Sequence, residues 1–147
     1  MCYNRAVSET GRLLGVDFGL KRVGLAVCDA TRTLASPLGV YRTKSMRDTI
    51  DYVAELAVKE GVSGIVVGLP LNLDGTESVQ SGRVRAFSRN LERVTGLSIA
   101  LVDERLTTVE ADELLAEAGV KSKSRRDGLV DSLAAKIILQ SYIERGV

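Results

Sequence analysis

Hydrophobic and polar residues alternate in two rhythms along the chain. Residues 12–18 (RLLGVDF) and 23–29 (VGLAVCD) are apolar runs of strand length, joined by GLKR as a hairpin connection. A third apolar stretch, TLASPLGVY at 33–41, is broken by Pro37 and predicts a strand whose proline sits where no ladder hydrogen bond is needed. The period then lengthens, because Ile50, Val53, Ala54, Ala57 and Val58 recur at helical spacing between Ser45, a candidate N-cap, and Gly61. SGIVVGLP at 63–70, the loop LNLDGTES, a helical stretch to about Val94 and LSIALVDE at 97–104 add two β-α steps, whose strands should be parallel and central. TTVEADELLAEAG opens on a capping-box pattern, Thr107 to Glu110, and stops at Gly119. After the basic VKSKSRR, residues 127–145 predict a last helix with Leu129, Leu133 and Ile137 on one stripe.

The order β-β-β-α-β-α-β-α-α predicts a layered α/β domain that opens with a three-stranded meander. The 147 residues suit one domain: 1–10 read as a flexible N-terminal extension and 11–147 as the folded unit. A composition of 45% hydrophobic and 27% charged residues is that of a globular protein, and no apolar run is long enough to span a bilayer. The opening MCYNRAVSET lacks the apolar core of a secretory signal, so a cytoplasmic location without membrane association is expected. Cys2 and Cys28 read as reduced thiols. Histidine is absent, which excludes Ser-His and Cys-His nucleophiles and imidazole-based zinc sites. Acid–base work falls to carboxylates or metal-bound water.

Three carboxylates stand where charge is expensive. Asp17 ends an apolar strand in GVDFG, and Gly15 and Gly19 beside it would let a phosphate or metal approach the backbone. Glu104 closes IALVDE, and ligands in open α/β sheets collect beyond the carboxyl ends of parallel strands. Asp103 and Glu104 point to opposite faces, so only one can share a face with Asp17, and the residues alone leave that choice open. Asp131 shares its face of the last helix with Ala134, Ala135 and Ile138, and the two alanines are small enough to bring the helix close to the strand ends; Asp127 is its rival. Three acids in one cleft repel one another unless cations neutralise them, and oxygen donors without His or Cys select Mg²⁺ or Mn²⁺. Two such ions about 4 Å apart would activate a water and stabilise the leaving oxygen of a phosphodiester.

With a net charge of only +1, a nucleic-acid partner must be argued from local clustering. Lys21 and Arg22 follow the Asp17 motif, and Lys121, Lys123, Arg125 and Arg126 lead into the Asp131 helix. Arg85, Arg89 and Arg93 recur every four residues as a ridge that would track a phosphate backbone, although a plain solvated face fits them equally well. Without Trp and with 4% aromatics there is little to stack on single-stranded bases, so duplex or junction shape is the expected target.

The motifs GVDFGLKRVGLAV (15–27), GLPLNLDGTES (68–78), RVRAF (83–87), LVDERLTT (101–108) and DSLAAKIILQSY (131–142), in this order, resemble the YqgF (RuvX) family of Holliday-junction-resolvase-like proteins, also described as pre-16S ribosomal RNA nucleases. The resemblance implies an RNase H-like fold, with a mixed five-stranded sheet and helices on both faces. It carries the family's acidic triad, catalytic and metal-holding, onto Asp17, Glu104 and Asp131. It implies cleavage of structured RNA during 5′-end maturation of pre-16S rRNA, or alternatively of branched DNA; the chain is expected as a monomer or homodimer, since resolving a symmetric four-way junction asks for two active sites. Two other classes compete: a non-catalytic nucleic-acid-binding factor in transcription or ribosome assembly, and a phosphotransferase with a similar acid-glycine turn. Against the latter, this chain has the length of one lobe only.

Overall fold

A computed structural model describes residues 10–104 and 123–145, the side chains of 123–130 excepted. β1 (Leu13–Phe18) and β2 (Arg22–Cys28) pair antiparallel, Asp17 opposite Gly24, through a tight turn closed by the Gly19 N–H donating to the Arg22 carbonyl at 3.0 Å. β3 (Ala35–Arg42) continues the meander on the outer side of β2, with a bulge in the ladder between Leu25 and Ala26. Pro37 therefore sits on an edge strand, where its missing N–H is tolerated. α1 (Met46–Glu60) starts where Ser45 Oγ accepts the Asp48 N–H at 3.1 Å and ends at Gly61, left-handed at φ 63°. β4 (Gly64–Leu69) pairs parallel with β1, and β5 (Ser98–Asp103) pairs parallel with β4. The sheet order is β3-β2-β1-β4-β5, so β4 is interior while β5 forms an edge rather than a central strand.

α2 (Val79–Thr95) is opened by a reciprocal Ser78–Ser81 capping box. The helix expected over 107–119 lies outside the described residues. The last helix, α3 (Lys123–Arg145), begins four residues before the expected 127, because Lys and Arg are good helix formers and carry the turn ahead of the apolar stripe. Among the described residues no helix is long and apolar enough to cross a membrane.

Strand alternation divides the core. On one face Leu14, Val16, Phe18, Val23, Leu25, Ile65, Val67 and Ile99 meet Val53 of α1 and Val84, Phe87 and Leu91 of α2. The Phe18 and Phe87 rings stack at 4.4 Å. Each such buried side chain contributes roughly 1.5–3 kcal/mol, so this face holds the larger share of the hydrophobic stabilisation. The other face is thinner: Leu13, Ala26, Cys28, Val66 and Ala100 lie under Ala135, Ile138 and Leu139 of α3. Cys28 is a buried free thiol whose Sγ accepts the Leu13 N–H at 3.2 Å.

Candidate active site

Parity decides which acids meet. Asp17 follows Leu13 and Gly15 at intervals of two, which puts it on the α3 face with Leu13. Glu104 comes two residues after Val102 and four after Ala100, both on that face, while Asp103 follows Ile99 and Leu101 toward α1 and α2. Glu104 is held there by its N–H, which donates to the Leu69 carbonyl at 3.2 Å. β1 and β5 are separated by β4, a gap of about 10 Å at ordinary strand spacing. At this level β4 contributes Gly68, and a Cβ there would collide with Glu104 Oε2 and with Ile138. Across that bare backbone the Asp17 and Glu104 carboxyls reach each other and share a hydrogen bond.

The third acid arrives on α3. A Cβ on Gly24 of β2 would run into the Asp131 carbonyl, so α3 rests directly on the β2 backbone at Asp131. Gly15 serves the same packing, since its Cβ would press on Leu139 Cβ at 2.8 Å and the Ala135 carbonyl at 3.0 Å. The expected role of Gly15 and Gly19 in admitting a phosphate or metal is thereby corrected: Gly15 seats the helix, and Gly19 makes room for the Arg22 carbonyl in the turn. Asp131 is on the same side of the sheet as the other two acids and close enough that its charge raises the Asp17 pKa. Its Oδ2 accepts a 2.6 Å charge-assisted hydrogen bond from Arg22 Nε. Among the described residues, no three His, Cys, Asp or Glu side chains stand ready-made around a metal position.

The electrostatics are those of crowded acids. Burial first, and then the Asp131 charge, push Asp17 up to about 7, a rise moderated by the hydrogen bond from Glu104. Burial likewise leads for Glu104, pushed up to about 8, with the Asp17 charge, the shared hydrogen bond and the Asp103 charge adding to it. Near neutral pH the pair retains a proton between its two carboxyls. A cation would displace that proton, and hard oxygen donors on a side-chain-free floor suit Mg²⁺ or Mn²⁺.

The basic residues divide. Lys21 is exposed on the hairpin, and Arg22 leans on Asp131 instead of standing in solvent. On α2, Arg85 forks onto Glu77 at 2.8 and 3.0 Å, so it does not join an open ridge, whereas Arg89 is exposed. The Lys121 position, the side chains of Lys123, Arg125 and Arg126, and that of Asp127 lie outside the described residues. Sequence reasoning missed Gly24 and Gly68 as contact points, though glycine inside a strand is itself a sign of close backbone approach. It also missed Gln80, whose Nε2 donates to the Phe18 carbonyl at 3.0 Å and fastens the start of α2 beside Asp17.

Comparison with known proteins agrees with this geometry. The sequence profile of the family described as "RuvX: Holliday junction resolvase" matches residues 11–145. A Syntrophus aciditrophicus protein named "Putative pre-16S rRNA nuclease" is 45% identical over 133 residues, 90% of this chain and 88% of its own. A Paracoccus denitrificans protein of the same name is 41% identical over 143 residues, 97% of this chain and 90% of its own. Among solved structures, RuvC of T. thermophilus in complex with a Holliday junction substrate superposes with a TM-score of 0.63 at 17% identity, covering 93% of this chain and 97% of that one. The fowlpox virus Holliday junction resolvase gives a TM-score of 0.57 at 11% identity, covering 92% and 99%. Those likenesses establish the RNase H-like fold, and the profile and curated relatives establish the lineage: the chain belongs to the RuvX family, a family of nucleases.

Proposed function

We propose that this protein is a divalent-metal-dependent endonuclease that hydrolyses phosphodiester bonds in structured nucleic acid, with 5′-end processing of pre-16S rRNA in the cytoplasm as its role. One observation carries the reading: Asp17, Glu104 and Asp131, from three distant segments, share one sheet face, two of them joined by a hydrogen bond. When bound, a pair of Mg²⁺ or Mn²⁺ ions supplies Lewis acidity to an attacking water and to the leaving oxygen. Asp17 and Glu104 supply the anionic oxygens, and their raised pKa values make cation binding and proton release a single exchange. Asp131 completes the set on letting go of Arg22, and the released guanidinium stands beside the site to meet a phosphate oxygen. Lys21, Arg89, Lys121, Lys123, Arg125 and Arg126 are assigned to the phosphate backbone of the substrate; Arg85 would have to leave Glu77 to join them.

Cleavage of four-way DNA junctions is the second reading, favoured by the description of the matching family profile. The test is incubation of the purified protein with precursor rRNA and with a synthetic junction, side by side, in Mg²⁺ and in Mn²⁺. The wild type should cut the RNA, and Asp17→Asn should slow cleavage by about 100-fold or more, the scale seen when a principal charge-stabilising group is removed. Binding by the variant should be retained. Wild type and variant alike inactive, with binding intact, would identify a non-catalytic binding factor instead.

A further inference from the structure

We infer that the nucleic-acid strand reaches the carboxylates across the β2–β3 end of the sheet, where Arg42 and Lys44 join Lys21 in gripping its phosphates; this rests on the nuclease reading above. Arg42 lies directly opposite Arg22 in the β2–β3 ladder, so the two side chains leave the sheet on one face, the face of Asp17 and Asp131. The Thr43 N–H donates to the Lys21 carbonyl at 2.8 Å, which ties the segment bearing Lys44 to the hairpin bearing Lys21. Four cations thus collect on two backbone segments fastened side by side. Lys21, Arg42 and Lys44 are exposed, and their side chains form no hydrogen bond or ion pair among the described residues. The only acid between residues 30 and 50 is Asp48, in the first turn of α1.

Two cations directly opposed across a ladder destabilise the sheet that holds them. Arg22 relieves its share of that repulsion on Asp131, and the Arg42 side chain has no comparable carboxylate partner among the described residues. A polyanion laid over this end supplies it. A phosphate backbone is drawn in over β2 and β3, which gives the active site a direction of entry.

The test uses the full chain, metal-free, with a fluorescein-labelled RNA hairpin and a labelled four-way DNA junction, titrated over a salt series. Arg42→Gln and Lys44→Gln should each lower the slope of log K against log salt by about 0.7–0.9, and the double variant by about twice that. Lys59→Gln, at the far end of α1, removes one charge and should leave the slope as it is. Melting temperatures at or above that of the wild type would show that neither exposed substitution disturbs the fold. An unchanged slope in the double variant, or an equal loss in Lys59→Gln, overturns the assigned path. Should that happen while wild type still cleaves, the nuclease reading survives; wild type that neither binds nor cleaves either probe ends both.

Discussion

Asp17 and Glu104 make folding itself sensitive to pH. Their carboxyls titrate near 4 in an open chain, and burial, followed by the Asp131 charge for Asp17 and the Asp17 charge for Glu104, raises them to about 7 and about 8 in the fold. Between those limits the folded protein holds protons that the unfolded chain has shed, so unfolding becomes easier as pH rises through the window. We therefore expect the melting temperature of the metal-free protein to fall between about pH 5 and about pH 8, by a stability loss on the order of a few kcal/mol. Asp17→Asn removes one of the two acids, and it should melt several degrees higher than wild type at pH 8 while the two converge at pH 4. Calorimetry across that range checks it; superimposable pH curves would mean that both carboxyls are solvated. The charged residue at the end of an apolar run made Asp17 legible in the sequence. The choice between Asp103 and Glu104 was not, because it depends on which face α3 covers, and that is a fact of packing.

Among the elements, α3 and the strands beneath it fit by what the strands lack. Gly15, Gly24 and Gly68 lie on three neighbouring strands, and each would push a Cβ into α3 or into Glu104. Gly24→Ala is the sharpest case, since the clash is with the Asp131 backbone, which cannot rotate away. It should cost about 1–3 kcal/mol or more as overpacking, and it should also cut metal-dependent cleavage, because the helix that carries Asp131 must rise off the sheet. Gly82→Ala makes the contrast: Gly82 lies inside α2 with open space around its Cβ position, so the change should add about 0.5–1 kcal/mol and leave cleavage alone. Equal stabilities for the two variants would refute this seat for α3. The meander, the Ser45-to-Gly61 helix and the two parallel strands could be read from hydrophobic period and caps. The closeness of α3 could not, because the alanines on one side of the contact only hint at it, while on the other side Gly15 suggests space for a ligand and Gly24 and Gly68 do not by themselves say what approaches them.

At the scale of the whole molecule, the three acids belong to β1, the end of β5 and α3, and the site exists only when the sheet and its last helix are assembled together. An ion that binds there binds the folded state alone, so it stabilises global unfolding by RT ln(1 + [L]/Kd), about 2.7 kcal/mol at a hundredfold excess over Kd. Because the Asp17–Glu104 pair must give up its proton, affinity should climb with pH through the window in which the metal-free fold weakens. Mn²⁺ or Mg²⁺ should therefore raise the melting temperature more at pH 8 than at pH 5, opposing the decline seen without metal. Chelator should restore that decline. Asp17→Asn should show little response at either pH, and Lys59→Gln, a surface change at the far end of α1, the full wild-type response. A metal-induced rise equal in wild type and Asp17→Asn would place the ion elsewhere, since no ion held by Asp17 could be indifferent to its loss.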